Sequence, residues 1–318
     1  MDIGVLIDAA AEKRKQLLSA TNALRLVNGK ADGLSGITID KYDKHFVIQK
    51  FPSVSKYTDI GGISGFIAKK YDPDFLILKD RTVKTYSSQT ESFVSKIIIF
   101  KTSSRTVVTE NGFRFGVDVN DTLNTGLFLD MRANRRIIGS ASKDKAVLNC
   151  FSYTCAFGVY CRKYGASRVV NVDINKKSLL RGEKNYSLNN IAWDNNEFIN
   201  ADCAAYIKVA LKRGNFFDII ILDPPTFSRS GKKIFSVKKD FSQLIESALK
   251  ILNPRGRLFV STNCSDVSHA LLESFVRKSA AAINAESSGI EPLGQDIDFP
   301  GTNTIKESYL AALLVNFI

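Results

Sequence analysis

Only two histidines occur in the 318 residues, His45 and His269, and they stand far apart in the chain. Neither belongs to a grouping with metal-ligand spacing, so no metal centre is expected. The five cysteines (Cys150, Cys155, Cys161, Cys203, Cys264) contain no Cys-x-x-Cys pair and are odd in number. That speaks against a structural zinc site and against a disulfide framework, and suits reduced thiols in a cytoplasmic protein. No stretch approaches about 18 uncharged apolar residues, so no membrane span is expected. The first fifteen residues carry Asp2, Asp8 and Glu12 and lack the apolar core of a signal peptide. Internal repeats and low-complexity segments are missing too. So are Gly-x-Gly-x-x-Gly and a Walker motif, which leaves no glycine nest for a pyrophosphate.

What is present is a composition 44% hydrophobic, enough for a sizeable core in one large or two ordinary domains. The formal net charge is +12, which favours a polyanionic partner, most simply nucleic acid.

The pattern divides the chain. Residues 1–25 read as an N-terminal helix, with Ile3, Leu6, Ile7, Ala10, Leu17, Leu18 and Leu24 on its apolar side. Residues 26–118 read as a small α+β domain for substrate positioning, with a hairpin around Tyr42-Asp43-Lys44 and a helix over Asp59 to Lys70. From 119 to 318 the pattern becomes alternating. Strands are expected at 146–149, 168–172, 196–199, 218–222, 257–261 and 310–315, with helices at 155–164, 175–189, 203–213, 236–252 and 266–285. Alternation on this scale predicts an α/β fold, a Rossmann-like, doubly wound and mostly parallel sheet. Asn253-Pro254-Arg255-Gly256 reads as a helix stop and a turn.

Four polar positions fall just past four successive strands: Asn149 to Thr154, Asp173, Asp202 and Asp223. Ligands of open α/β sheets bind at that edge. An acid at the end of the second strand suits ribose hydroxyls, and one at the end of the third suits an adenine edge. The competing reading makes Asp173 and Asp202 helix caps. Ile219-Ile220-Ile221-Leu222 is a buried strand that must stop at Asp223-Pro224-Pro225, because neither proline donates a ladder hydrogen bond. A cofactor with adenosine but no phosphate fits this set, and S-adenosylmethionine is the obvious one.

Here the chain resembles the class I S-adenosylmethionine-dependent methyltransferases of the RlmI and RlmK type, which modify large-subunit ribosomal RNA. The resemblance rests on Leu26-Val27-Asn28-Gly29, Asp32-Gly33-Leu34, Thr125-Gly126-Leu127-Phe128-Leu129-Asp130-Met131-Arg132, Asn149-Cys150-Phe151-Ser152-Tyr153-Thr154, Val172-Asp173, Asp202 and Asp223-Pro224-Pro225-Thr226-Phe227. It implies a cofactor site formed by Asn149, Phe151, Ser152, Tyr153, Thr154, Asp173, Asp202, Asp223 and Pro224. Three departures stand out. Little chain precedes Leu24 where the family carries an RNA-binding PUA domain. Cys155-Ala156 replace the family's glycines and narrow the space beside the cofactor. Asp298-Phe299-Pro300 with Glu307, Tyr309 and Leu310 matches the family's ending loosely.

The resemblance aligns Cys264 with the nucleophile of the members that methylate cytosine at C5. That carbon needs a thiolate at C6 before it can take a methyl group. Asp223 would then bond the N3 or amine of the base. A free cysteine is otherwise a small buried hydrophobe. Two further readings stay open: guanine-N7 or other nitrogen methylation, which needs no thiolate, and a non-catalytic RNA-binding protein retaining the fold. Pro225, Phe227, Arg229, Lys232, Lys233 and Arg132 are the expected substrate contacts, Phe227 as a stacking platform and the cations on phosphates. Lys238, Lys239, Arg135 and Arg136 extend the basic set. The sequence leaves the oligomeric state open between monomer and homodimer, the dimer being what the resemblance allows.

Overall fold

The computed structural model describes residues 2–55, 58–87, 90–122, 124–230, 233–301 and 310–318, with the side chains of 84–93 and 228–234 outside the description. Its contacts form two compact units, Met1–Arg132 with Gln295–Thr302, and Ala133–Gly294 with Asn303–Ile318. Among the described residues no helix is long and apolar enough to cross a membrane. None of their His, Cys, Asp and Glu residues group as metal ligands either.

The first unit runs α1 (Ile3–Lys13), β1 (Ala23–Asn28), β2 (Ile37–Tyr42), β3 (His45–Lys50), α2 (Ile60–Tyr71), β4 (Phe75–Ser87), β5 (Thr90–Phe100), β6 (Arg105–Glu110) and β7 (Phe113–Asp118). The first five strands form one sheet in sequential order, and β6 with β7 forms a separate hairpin. The expected helix over 1–25 is therefore corrected. Asp2 caps α1 from Gly4 N, and the helix ends at Lys13. Arg14 then turns inward to bond Asp32, and the chain from Ala23 is taken by antiparallel pairing with β2. Long-range pairing has overridden a local apolar periodicity. The β2–β3 turn lies where the sequence puts it, with Asp43 at φ 57.

Residues 119–132 lie with the first unit, although their sequence pattern groups them with the second. Lys79 Nζ donates to the Asp121 carbonyl, and Thr125 Oγ1 donates to Tyr42 Oη at 2.9 Å. Arg132 completes the attachment. Its guanidinium meets both oxygens of Asp298 at 3.0 and 2.9 Å, Asp296 at 3.2 Å and the Ala23 carbonyl at 3.0 Å. Glu110 lies 3.6 Å away. Burial works against that positive charge, but the Asp298, Glu110 and Asp296 carboxylates outweigh it and hold the Arg132 pKa above its ordinary value. Arg132 is thus 2% exposed with both terminal nitrogens hydrogen-bonded inside the protein, so its expected phosphate contact is withdrawn. The resemblance marks this arginine, but as a buried ion pair its role is structural.

The second unit runs α3 (Arg132–Ser140), β8 (Ala146–Cys150), α4 (Ala156–Lys163), β9 (Arg168–Asp173), α5 (Lys176–Leu188), β10 (Phe198–Asn200), α6 (Cys203–Lys212), β11 (Phe217–Leu222), β12 (Phe227–Ser230), β13 (Lys233–Ser236), α7 (Val237–Leu249), β14 (Leu252–Thr262), α8 (His269–Ala281), β15 (Ser287–Leu293) and β16 (Ala311–Phe317). The sheet order is β10-β9-β8-β11-β14-β16-β15. The first five of these strands are parallel, and β16 runs antiparallel between β14 and β15. This is the Rossmann-like doubly wound architecture. Strand order reverses between β8 and β11, and that crevice is the switch point where such sheets bind ligands.

Two elements escape the sequence pattern. The short β12–β13 hairpin follows Asp223-Pro224-Pro225, and β15 has little alternation. The expected turn at 253–256 lies inside β14 as a bulge. Pairing with β11 jumps from Leu252 to Arg257, and Arg255 takes φ 58.

Candidate active site

The carboxyl ends of β8, β9, β11 and β14 stand side by side, and each delivers one group of polar residues. After β8 the loop 151–155 takes an unusual path. Phe151, Tyr153 and Cys155 have φ of 56, 49 and 59, alternating left-handed residues without a glycine among them. Each costs on the order of 1 kcal/mol or more. Hydrogen bonds hold the loop there. Ser152 N donates to the Val172 carbonyl and Cys155 N to the Ser152 carbonyl. Phe151 N donates to Cys203 Sγ at 3.2 Å, and Tyr153 N to Asp173 Oδ2 at 2.8 Å. Asn185 Nδ2 donates to the Thr154 carbonyl at 2.9 Å.

Asp173 is consequently not the cap of α5. Asn175 is, bonding Lys177 N and Ser178 N. Asp173 instead fixes two loops, accepting from Tyr153 N through one oxygen and from Asn175 N through the other. Each carboxylate oxygen has a further lone pair for a ribose hydroxyl. Asp202 does cap its helix, accepting from Ala205 N at 2.9 Å. Asn149 is 2% exposed and its amide donates to Asn171 Oδ1 at 2.9 Å, while Asn171 donates on to Tyr186 Oη. Its side chain therefore belongs to a buried amide chain beneath the loop.

Cys155 does not narrow the cofactor side. The side chain is fully buried and points at α5, where a Cβ built on Gly182 would lie 2.4 Å from Cys155 Sγ. The absent side chain at 182 makes the room that a cysteine in place of glycine requires. Burial pushes the thiol pKa far up, so the sulfur stays protonated and inert. Gly182→Ala should therefore destabilise the second unit by about 1–3 kcal/mol. Adding Cys155→Gly should restore most of that loss, since it removes both the clash and a strained backbone residue. Equilibrium denaturation of the two single variants and the double variant measures the coupling. Additive losses would exclude this packing.

Asp223 ends β11, and Leu222 pairs with Val260 of β14. That register brings Ser261 beside Asp223, and Ser261 Oγ donates to Asp223 Oδ1 at 2.7 Å. Thr226 Oγ1 donates to Asn263 Oδ1 at 3.0 Å, tying the proline loop to the end of β14 a second time. Sequence reading missed Ser261, because only strand register makes it a neighbour. Pro224 is buried and Pro225 exposed. Phe227 is 68% exposed, which leaves its ring open for stacking. Phe151 packs on Phe235 of the β12–β13 hairpin, ring centres 6.1 Å apart.

Cys264 follows Thr262 in a turn closed by Val267 N on the Cys264 carbonyl. Its amide donates to Thr262 Oγ1, and the residue is 7% exposed. Lys238, exposed on α7, donates to Asp266 of the same turn. The Asp266 hydrogen bond holds the Lys238 pKa above its ordinary value, and the nearby Cys264 adds to the effect. Of the other cations expected at phosphates, Lys239 and Arg136 are exposed. Arg135 is buried, 6.0 Å from the centre of the Tyr160 ring. Lys232 lies outside the described residues, as do the side chains of Arg229 and Lys233.

A strained but hydrogen-bonded loop, an acid at the end of the second strand and a carboxylate at the switch point are suited to an adenosine bearing an amino-acid tail. The S-adenosylmethionine-dependent methyltransferase family model matches residues 97–314. The chain is 32% identical over 311 residues to YwbD of Bacillus subtilis, covering 96% of this chain and 78% of that protein. It is 31% identical over 304 residues to the ribosomal RNA large subunit methyltransferase I of Photobacterium profundum, covering 94% and 76%. Among solved structures, SMU.776 complexed with SAH matches with a TM-score of 0.87 at 28% identity, over 98% of this chain and 80% of that one. Site geometry and sequence likeness agree, and the chain belongs to the S-adenosylmethionine-dependent methyltransferases, in the family of the bacterial ribosomal RNA large subunit methyltransferase I enzymes.

Proposed function

We propose that this enzyme methylates C5 of a cytosine in large-subunit ribosomal RNA through an adduct on Cys264. The observation that carries the reading is the place of Cys264: it follows the same strand that supplies Ser261 to Asp223, with the Lys238 charge nearby.

In this reading, S-adenosylmethionine supplies an electrophilic methyl group on a sulfonium. Tyr153, Thr154 and Asp173 hold its adenosine side, with Phe151, Ser152, Asp202 and Pro224 lining the same crevice. Phe227 stacks on the target base, and Asp223 bonds its N3 or exocyclic amine. Ser261 keeps the Asp223 carboxylate from rotating away. With its proton passed to solvent, the Cys264 thiolate would add at C6 and the electron pair would move to C5, which becomes nucleophilic enough to take the methyl group, the sulfonium leaving as a neutral thioether. Loss of the C5 proton to a base then expels the thiolate and restores the ring. Each covalent step is of the nucleophilic type in which one difficult step is split into two easier ones. Pro225, Arg229, Lys232 and Lys233 follow Asp223 closely enough in sequence to contact RNA around the extruded base.

The burial of Cys264 to 7% exposure favours a second reading, methylation of a ring or amino nitrogen, in which Asp223 and the neighbouring carbonyl orient the nitrogen and the thiol takes no part. Incubating the protein with isotope-labelled cofactor and unmodified large-subunit RNA, followed by nucleoside mass spectrometry, tests both. Labelled 5-methylcytidine supports the first reading, a labelled methylguanosine the second, and no transfer would discard both.

A further inference from the structure

A second group of cations lies away from the catalytic edge. At the opposite edge of the sheet, where the parallel strands begin, Lys145 precedes β8, Arg168 opens β9, Arg213 follows α6, and Arg255 and Arg257 lie at the bulge of β14. All five are exposed. The strands β9, β8, β11 and β14 are consecutive in the sheet, with Ala146 paired to Arg168 and Ile219 paired to both Val147 and Arg257. At about 4.8 Å per strand spacing, the four strand starts span roughly 15 Å. Arg168 Nη2 donates to the Phe216 carbonyl at 3.5 Å, its guanidinium covers the Phe217 ring at 5.0 Å, and Phe216 itself is 43% exposed. Arg168 and Arg213 both act on Tyr206, which puts these two cations near each other.

Helix-dipole complementarity explains a cation such as Arg213 at a helix end. It does not explain Lys145, Arg168, Arg255 or Arg257, which stand at strand starts. Arg255 even takes a left-handed φ of 58, a conformation that glycine adopts more easily. The carboxylates near them are Asp144 and Glu286, both exposed, Glu286 beside Asn253 and Pro254, then Asp218, which is engaged with Ala146 N and Asn253, and Glu197, which is buried and shared between Arg162 at 3.9 Å and the field of Arg168. Among the described residues none of the five cations has an ion-pair partner. Cations interleaved with an exposed aromatic ring are the composition of a nucleic-acid contact.

We infer that this strand-start edge is a second RNA-binding surface, which grips the phosphate backbone of a structured RNA roughly 20 Å from the target nucleotide, the distance set by strands of about six residues. The inference rests on RNA being the substrate, as proposed above, but not on which atom is methylated. A large folded RNA has the extent to touch both edges, whereas a short fragment carrying only the target reaches one.

The test is a charge-reversed variant, Lys145→Glu with Arg213→Glu, Arg255→Glu and Arg257→Glu, and a glutamine version of the same four should the reversal fail to fold. Affinity for full-length large-subunit RNA should fall about tenfold or more. The slope of log affinity against log salt should flatten by about 3, from four lost phosphate contacts. Cofactor affinity by calorimetry, and affinity for a short fragment holding the target, should stay at the wild-type values. Unchanged affinity and slope on the long RNA would overturn the inference, and so would equal losses on the long and the short RNA. If the reversal instead abolished binding only to anionic vesicles or to an acidic protein, the surface would belong to that partner and the inference would fail. A methylguanosine product would remove the Cys264 reading while leaving these binding results intact, so the two failures can be told apart.

Discussion

Cys264→Ser is expected to lower turnover on RNA on the order of 10³-fold or more, with cofactor affinity unchanged. The size follows from the chemistry, because cytosine C5 becomes nucleophilic only while a thiolate is bonded at C6, and a hydroxyl at neutral pH is a far poorer attacking group. The residue sits in a turn fixed by Thr262 and Val267, and serine is nearly isosteric, so the fold should tolerate the change. RNA carrying 5-fluorocytidine at the target supplies a second readout. Fluorine in place of the C5 proton blocks the elimination step, so the wild-type protein should stall as a covalent complex with the RNA that survives denaturing electrophoresis. Cys264→Ser should form none. Wild-type turnover in the serine variant, together with no trapped complex, would transfer the reaction to nitrogen chemistry.

Asp298→Asn should be the most damaging single change to the first unit, at about 3–5 kcal/mol. Asp298 is fully buried. Its carboxylate receives both terminal nitrogens of Arg132 and the Arg25 backbone N–H, and its carbonyl lies 3.3 Å from Arg14 Nη2. Removing the charge leaves the Arg132 guanidinium buried with weaker partners, Asp296 at 3.2 Å and Glu110 at 3.6 Å. The adjacent residues reinforce the attachment, with Arg25 stacked 4.7 Å from the Phe299 ring centre and Asn28 bonded to the Pro300 carbonyl. Hydrogen exchange should show lost protection in β1 and β2 while β8 and β11 keep theirs. Converting the pair to Arg132→Met with Asp298→Leu should recover part of the loss, because a missing charge costs less than an unpaired one. Uniform loss of protection over the whole chain, or none, would contradict this account.

The elements of the second unit were legible because their information is local. An apolar run such as Ile219-Ile220-Ile221-Leu222 followed by Asp223-Pro224-Pro225 announces a buried strand and its end, whatever the rest of the chain does. Asn253-Pro254-Arg255-Gly256 shows the limit of that reasoning. The turn is there, but pairing of Phe217 with Leu252 carries the strand through it. The N-terminal segment failed for the same reason, as Leu24 fits a helical stripe until β2 takes it as a strand partner, opposite Lys41.

The candidate site divides along this line. The sequence alone determined the alternating α/β order, the acids at strand ends and the cofactor class, since each depends on spacing along one stretch of chain. Only the tertiary structure decided what those residues touch: that Asp173 binds Tyr153 N rather than capping α5, that Cys155 fills the space left at Gly182, that Ser261 restrains Asp223, and that Arg132 lies sealed against Asp298. The physical reason is that these contacts are set by sheet register and by packing across long separations in the chain, and a one-residue shift in register would reassign every one of those neighbours without changing the pattern of residues that specifies the strands.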